Sequence, residues 1–115
     1  MEGGRTGRRE AREVAMIVRI WEARVAPTLV AEFCTVLRTQ LMPQLDGLDG
    51  YLGGELLRSL PDSTHRVLVV TRWRDEEALR AYAGPMWSLR PVWSDTEQGY
   101  LEHPPSVAHF SVLSS

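Results

Sequence analysis

The chain has 115 residues, 43% of them hydrophobic, and a formal net charge of −2, which describes one domain able to bury a core yet small enough to gain from oligomerisation. All 13 basic residues are arginines spread along the chain, a distribution that excludes the clustered footprint of a nucleic-acid binder. No apolar run approaches the roughly 20 residues of a membrane span and no secretory-type segment opens the chain; Cys34 is the single cysteine, so a soluble, cytoplasmic protein without disulfides is expected.

Met1 to Val14 are rich in Gly, Arg and Glu and offer almost nothing apolar, which predicts a disordered leader before a domain of residues 15–115. The leader holds four of the 13 basic and three of the 15 acidic residues, leaving the domain mildly acidic. Met16 opens the first strand and is an expected native start.

From Met16 to Val25, Met16, Val18 and Ile20 alternate with Ile17, Arg19 and Trp21, predicting a strand covered on both faces. Pro27 suits the first position of a helix in which Leu29, Val30, Phe33, Cys34, Leu37 and Leu41 recur at helical spacing up to Pro43. Cys34 lies on that apolar face, so a buried, inert thiol is expected. Asp46-Gly-Leu-Asp-Gly50 is turn chemistry. A second strand, Tyr51 to Leu60, follows, and Gly53 with Gly54 predicts a bulge or a close backbone approach.

Pro61-Asp-Ser-Thr64 predicts a hairpin connection into a third strand, Arg66 to Trp73. Asp75 reads as the N-cap of a second helix reaching Ala83, with Glu76 and Glu77 in its first turn and Gly84-Pro85 ending it. Trp87, Leu89, Val92 and Trp93, interrupted by Pro91, predict a short helix and a turn. Ser106 to Leu113 alternates as a final strand.

The order βαββαβ predicts an α+β, ferredoxin-like fold: a four-stranded antiparallel sheet with both helices on one face. The other face carries large apolar groups, which predicts a homodimer formed sheet to sheet. Trp73 sits where the third strand runs into a helix, at the rim of the sheet. With Trp21, Trp87, Trp93, Tyr51 and Tyr82 it belongs to a set able to line a flat apolar pocket for a small aromatic ligand, with Arg19, Arg72 or Arg90 meeting an anionic oxygen. His109, mid-strand among apolar neighbours, is the candidate base because imidazole titrates near neutral pH. His65 and His103 are expected in turns or loops. The histidine spacing matches no metal site, and the glycines do not precede a helix as a phosphate loop would, so neither metal nor cofactor is expected.

Three segments carry a resemblance: Met16-Ile-Val-Arg-Ile-Trp21; Val69-Val-Thr-Arg-Trp-Arg-Asp75 with Ala78-Leu-Arg-Ala-Tyr-Ala-Gly84; and Leu101-Glu-His-Pro-Pro-Ser-Val-Ala-His-Phe-Ser-Val112. Together they resemble the antibiotic biosynthesis monooxygenase family. The resemblance implies a dimeric α/β barrel and one of two chemistries: cofactor-free oxidation of phenolic polyketides or quinols by molecular oxygen, or oxidative opening of haem. Haem-degrading members share a tryptophan at Trp73 but also use an asparagine and a helical histidine; this chain has no asparagine, and Asp75 to Ala83 has no histidine. Trp73 carries over to the quinone-forming members, and Tyr82 and Arg90 lie in the region of their tyrosine and arginine.

The expected machinery is therefore His109 as base and Trp73 holding the ring. Tyr82, Arg19, Trp21, Arg72 and Arg90 are the candidate substrate contacts in a dry pocket. Two other roles remain open: a non-catalytic small-molecule-binding or dimerisation protein, and an aldol-type polyketide cyclase needing the same base but no oxygen.

Overall fold

A computed structural model of the chain describes residues 16–60, 65–88 and 95–114. The expected leader, the connection at 61–64, and the segment 89–94 with Arg90 and Trp93 lie outside the described residues. Four strands, β1 (Ile17–Arg24), β2 (Tyr51–Arg58), β3 (Arg66–Trp73) and β4 (Ser106–Ser111), pair antiparallel in the order β2-β3-β1-β4. This is the ferredoxin-like α+β sheet, with β1 and β3 central. Strand alternation turns Arg19, Trp21 and Ala23 of β1 toward the helices, where all three are buried, and Val18 and Ile20 toward the opposite, open face.

The first helix departs from expectation at both ends. Pro27 lies in a turn, where the Leu29 N–H bonds the Ala26 carbonyl at 2.8 Å, and α1 begins at Val30 (Val30–Val36). Pro43 does not end the helix: a π-helical segment, Leu37–Leu41, leads into α2 (Met42–Leu45). Proline has no N–H to give, and its ring crowds the carbonyl four residues back. The widened turn, in which the Met42 N–H bonds the Leu37 carbonyl, accommodates it. Cys34 is buried on this helix and burial pushes its thiol pKa up, as an inert thiol requires.

The two glycines of β2 serve both expected purposes. The register shifts between Tyr51 and Gly53, a bulge at which Gly53 takes φ 125°; at Gly54 an added Cβ would lie 2.5 Å from the Val70 carbonyl oxygen. The second amphipathic helix is α3 (Glu76–Ala83), capped by Asp75, whose carboxylate accepts from the Ala78 N–H at 2.8 Å. Gly84, at φ 79°, ends it in the left-handed region. A short helix, α4 (Asp95–Gln98), precedes β4. β2 stops at Arg58 and β4 at Ser111, each two residues short of the expected end.

The helix-side face of the sheet buries two clusters. One, beneath α1, gathers Trp21, Val25, Phe33, Leu37, Val67 and Val69 among others. The second, beside α3, is Leu45, Trp73, Ala78 and Leu79. On the open face Val18 stands opposite Phe110, which is 53% exposed, and Leu57, also exposed, stands opposite Leu68. Among the described residues no helix is long and apolar enough to cross a membrane.

Candidate functional site

Antiparallel register places Gly54, Thr71, Arg19 and His109 in one row across β2, β3, β1 and β4. All four positions face the helices, because each lies an even number of residues from a neighbour that is buried in, or packed against, the helix-side core. The adjacent row sets Tyr51 opposite Trp73 and Trp73 opposite Ile17. Trp73 is 0% exposed. Tyr82 of α3 stacks on its face at 5.1 Å between centroids with 20° between planes, and Tyr51 meets it edge-on at 5.3 Å. The indole N–H donates to Thr71 Oγ1 at 3.0 Å, which satisfies the one polar group of a fully buried ring.

Arg19 is 2% exposed, an uncommon place for a cation. Its Nη1 donates to the Trp87 carbonyl at 2.7 Å and lies 2.9 Å from His109 Nε2. A guanidinium only donates, so Nε2 accepts, and His109 is neutral with its proton on Nδ1. The Trp87 ring meets the His109 imidazole edge-on at 4.8 Å, and the Arg80 guanidinium lies over Trp87 at 4.9 Å. A layered arrangement of Arg80, Trp87, His109 and Arg19 thus ties α3 and the turn after it to the sheet.

The electrostatics follow from burial. Desolvation pulls the Arg19 pKa below its ordinary value, while neighbouring Tyr82 opposes the change. His109 is held below the ordinary imidazole range by burial and then by Arg19, with Glu76 acting against both. Burial pushes the Tyr82 phenol up; Arg19 opposes this, and Glu97 and Tyr51 add to it. At neutral pH the cluster holds a neutral imidazole and a protonated phenol. Glu97 of α4 is 3% exposed and joins the same field.

Four of the expected site residues, His109, Trp73, Tyr82 and Arg19, come together here. Two do not. Trp21 shares the strand face of Arg19 but lies two residues further along β1, packed in the apolar cluster beneath α1. Arg72 falls between Thr71 and Trp73 and so faces the other side of the sheet, where it pairs with Glu55 at 3.5 Å. Arg90 lies outside the described residues. Trp87 contributes both ring and carbonyl to the cluster. Thr71 and Glu97 were not anticipated. Period-two spacing from Trp73 marks Thr71 as its neighbour on the same face, whereas nothing in the local sequence distinguishes Glu97.

Fold and cluster together define an α+β domain of ferredoxin-like topology with an aromatic site built around a buried arginine. The sequence pattern of the antibiotic biosynthesis monooxygenase family matches residues 16–84, more than half of the chain, and the chain belongs to that family. No functionally curated protein matches the sequence. Among solved structures, a Nitrosomonas europaea protein bearing the family description aligns at TM-score 0.67 and 19% identity, covering 85% of this chain and 90% of its own. A Caulobacter crescentus protein with the same description aligns at 0.64 and 16%, covering 94% and 99%. The heme degrader of Mycobacterium tuberculosis, solved with two hemes in its active site, aligns at 0.63 and 22%, covering 86% and 97%. At these identities the likeness is one of fold.

Proposed function

We propose that this domain oxidises a small hydroxylated aromatic substrate with molecular oxygen, and that it does so as a cytoplasmic homodimer joined through the open sheet face. The observation that carries the reading is the grouping of Trp73, Tyr82, His109 and the buried Arg19 cation on one face of the sheet. Such a site sets aromatic rings beside positive charge, which suits an electron-rich aromatic oxyanion. Family membership supports the oxygen chemistry.

Triplet oxygen reacts slowly with a closed-shell phenol, and ionisation makes the ring or its enolate carbon a better electron donor. Where the reacting carbon is a CH2 flanked by aryl groups, it loses both hydrogens and gains one oxygen atom as a carbonyl. The second oxygen atom leaves as water with those two hydrogens. The substrate supplies all four electrons, so no external reductant is required. Trp73 and Tyr82 would hold the ring, Arg19 and His109 would face the oxyanion, and the buried setting would keep competing water out.

Oxygen-electrode traces with a panel of anthrones, naphthols and quinols test this. The expected result is oxygen consumption that falls about 100-fold in Trp73→Phe and His109→Ala proteins. Undiminished turnover in both would remove these residues from the reaction. Native mass spectrometry checks the dimer, and a Val18→Asp substitution in β1 should yield monomers if the open face is the interface.

The residues do not fit haem. α3 presents Tyr82 and no histidine, Tyr82 covers the Trp73 ring face, and His109 Nε2 is taken by Arg19. The absence of an asparagine from the chain favours, as a second reading, a protein that binds an aromatic metabolite without converting it. Binding without oxygen uptake would establish that reading, and product formation without oxygen uptake would indicate an aldol-type cyclase.

A further inference from the structure

The pairing of Arg19 with His109 bears on which form of the substrate the site accepts, an inference resting on the function just proposed. We infer that His109 serves as a hydrogen-bond donor polarised by Arg19, not as a base, and that the site therefore selects phenols, naphthols or enols already ionised in solution. The sequence-based expectation of a catalytic base is replaced by that of a donor.

The geometry carries the inference. Nη1 of Arg19 occupies the Nε2 lone pair of His109 at 2.9 Å. The remaining polar position of the ring is Nδ1–H, which has no hydrogen-bond partner among the described residues. His109 is half-buried on an edge strand, whereas Arg19 is almost fully covered. The imidazole thus stands on the more accessible side of the guanidinium. A cation drawing on Nε2 strengthens Nδ1–H as a donor, so Arg19, His109 and an incoming oxyanion would form a mutually polarising chain. To accept a proton at Nε2, His109 would have to give up that bond and become a second cation beside Arg19.

The surrounding charges act in the same direction. Among the described residues, Arg19 on β1 and Glu76 on α3 are the charged groups that act on His109. Glu76 is ion-paired with Arg80, which itself lies over the Trp87 ring. Tyr82 of α3 bears on Arg19, and Glu97 of α4 bears in turn on Tyr82. Two guanidiniums therefore flank the imidazole and the Trp87 ring, and Glu76, the carboxylate that acts on the imidazole, is already paired. A neutral donor in this field discriminates in favour of an anion and offers no acceptor to a neutral hydroxyl.

Isothermal titration calorimetry of the full chain at pH 7 with 4-nitro-1-naphthol, an anion there, and 1-naphthol, neutral there, tests the inference. The anion is expected to bind at least about tenfold more tightly, and the gap should close as pH is raised through the ionisation of 1-naphthol. Arg19→Gln should abolish the preference and Arg19→Lys, which keeps the cation, should retain it. For any panel substrate that consumes oxygen, His109→Gln supplies both an acceptor for Arg19 and an outward donor. It should restore most of the turnover lost in His109→Ala, and the pH profile should follow the substrate's own ionisation.

Equal binding of the two naphthols, binding of neither, or a His109→Gln protein as inactive as His109→Ala would overturn the inference. Anion preference without oxygen consumption from any panel member would support it while removing the oxygenase reading.

Discussion

The two ends of the helix-side sheet face use the same strands differently. Beneath α1, β1 and β3 contribute Trp21, Ala23, Val67 and Val69 to a cluster completed by Phe33 and Leu37, apolar throughout. Two to four residues away, the same two strands contribute Arg19, Thr71 and Trp73, and β4 adds His109. The first end gains stability from every group it buries. The second buries a cation, whose desolvation is costly and is offset in part by hydrogen bonds to Trp87 and His109. The contrast separates residues that hold the fold from residues kept at some expense to it, and the latter are where chemistry is expected.

The largest effect should come from the apolar end. Phe33→Ala, at a fully buried position, is expected to cost about 3–5 kcal/mol, read as a fall in the urea midpoint, while the folded fraction keeps its naphtholate affinity. Arg19→Met should show the opposite profile: a stability change within about 1 kcal/mol of zero with loss of anion binding by calorimetry. A destabilisation of Arg19→Met as large as that of Phe33→Ala would break the comparison, because the arginine would then be structural. Asp75→Ala, which removes the α3 N-cap bond to the Ala78 N–H, should cost about 1 kcal/mol. It should also weaken ligand binding, since α3 carries Tyr82.

A smaller effect sharpens the comparison through pH. The folded-state pKa of His109 lies below its ordinary value, so the unfolded chain binds the proton more readily. The stability this neutral imidazole contributes is fully present above the ordinary histidine range near pH 6.5, and it is lost as pH falls through that value toward the folded pKa. Urea midpoints measured from pH 7.5 to 5 should therefore drop more for the native protein than for His109→Gln. The smallest change is expected at Arg74. Its exposed pairs with Asp49 and Asp75, each at 3.2 Å, should leave the urea midpoint almost unchanged when Arg74→Gln removes them, and the small difference should vanish in high salt.

Legibility in the sequence followed the range of the interactions involved. β3 appears with its expected bounds, Arg66–Trp73, and α3 with its expected cap and stop. Each of these signals is local: a β-branched run, a carboxylate three residues ahead of the amide it caps, a glycine free to take positive φ. Pro43 misled because proline ends a regular α-helix, while a helix pressed on a sheet through Leu37 and Leu41 can widen by one residue and continue. At the site, Trp73 was legible as a large aromatic at a strand-to-helix junction. Arg72, its immediate neighbour, was an equal candidate until the sheet assigned it to the other face.

The sequence by itself determined the order of elements, the alternation along each strand and the family, because period-two and helical spacings are written in neighbouring residues. Only the tertiary structure decided which strand face the helices cover, and with it that Arg19 is buried while Arg72 is not. It alone brought His109 onto Arg19 across 90 positions of chain, a hydrogen bond set by the antiparallel register of β1 and β4. That register is a property of paired backbones, and neither strand encodes it in isolation.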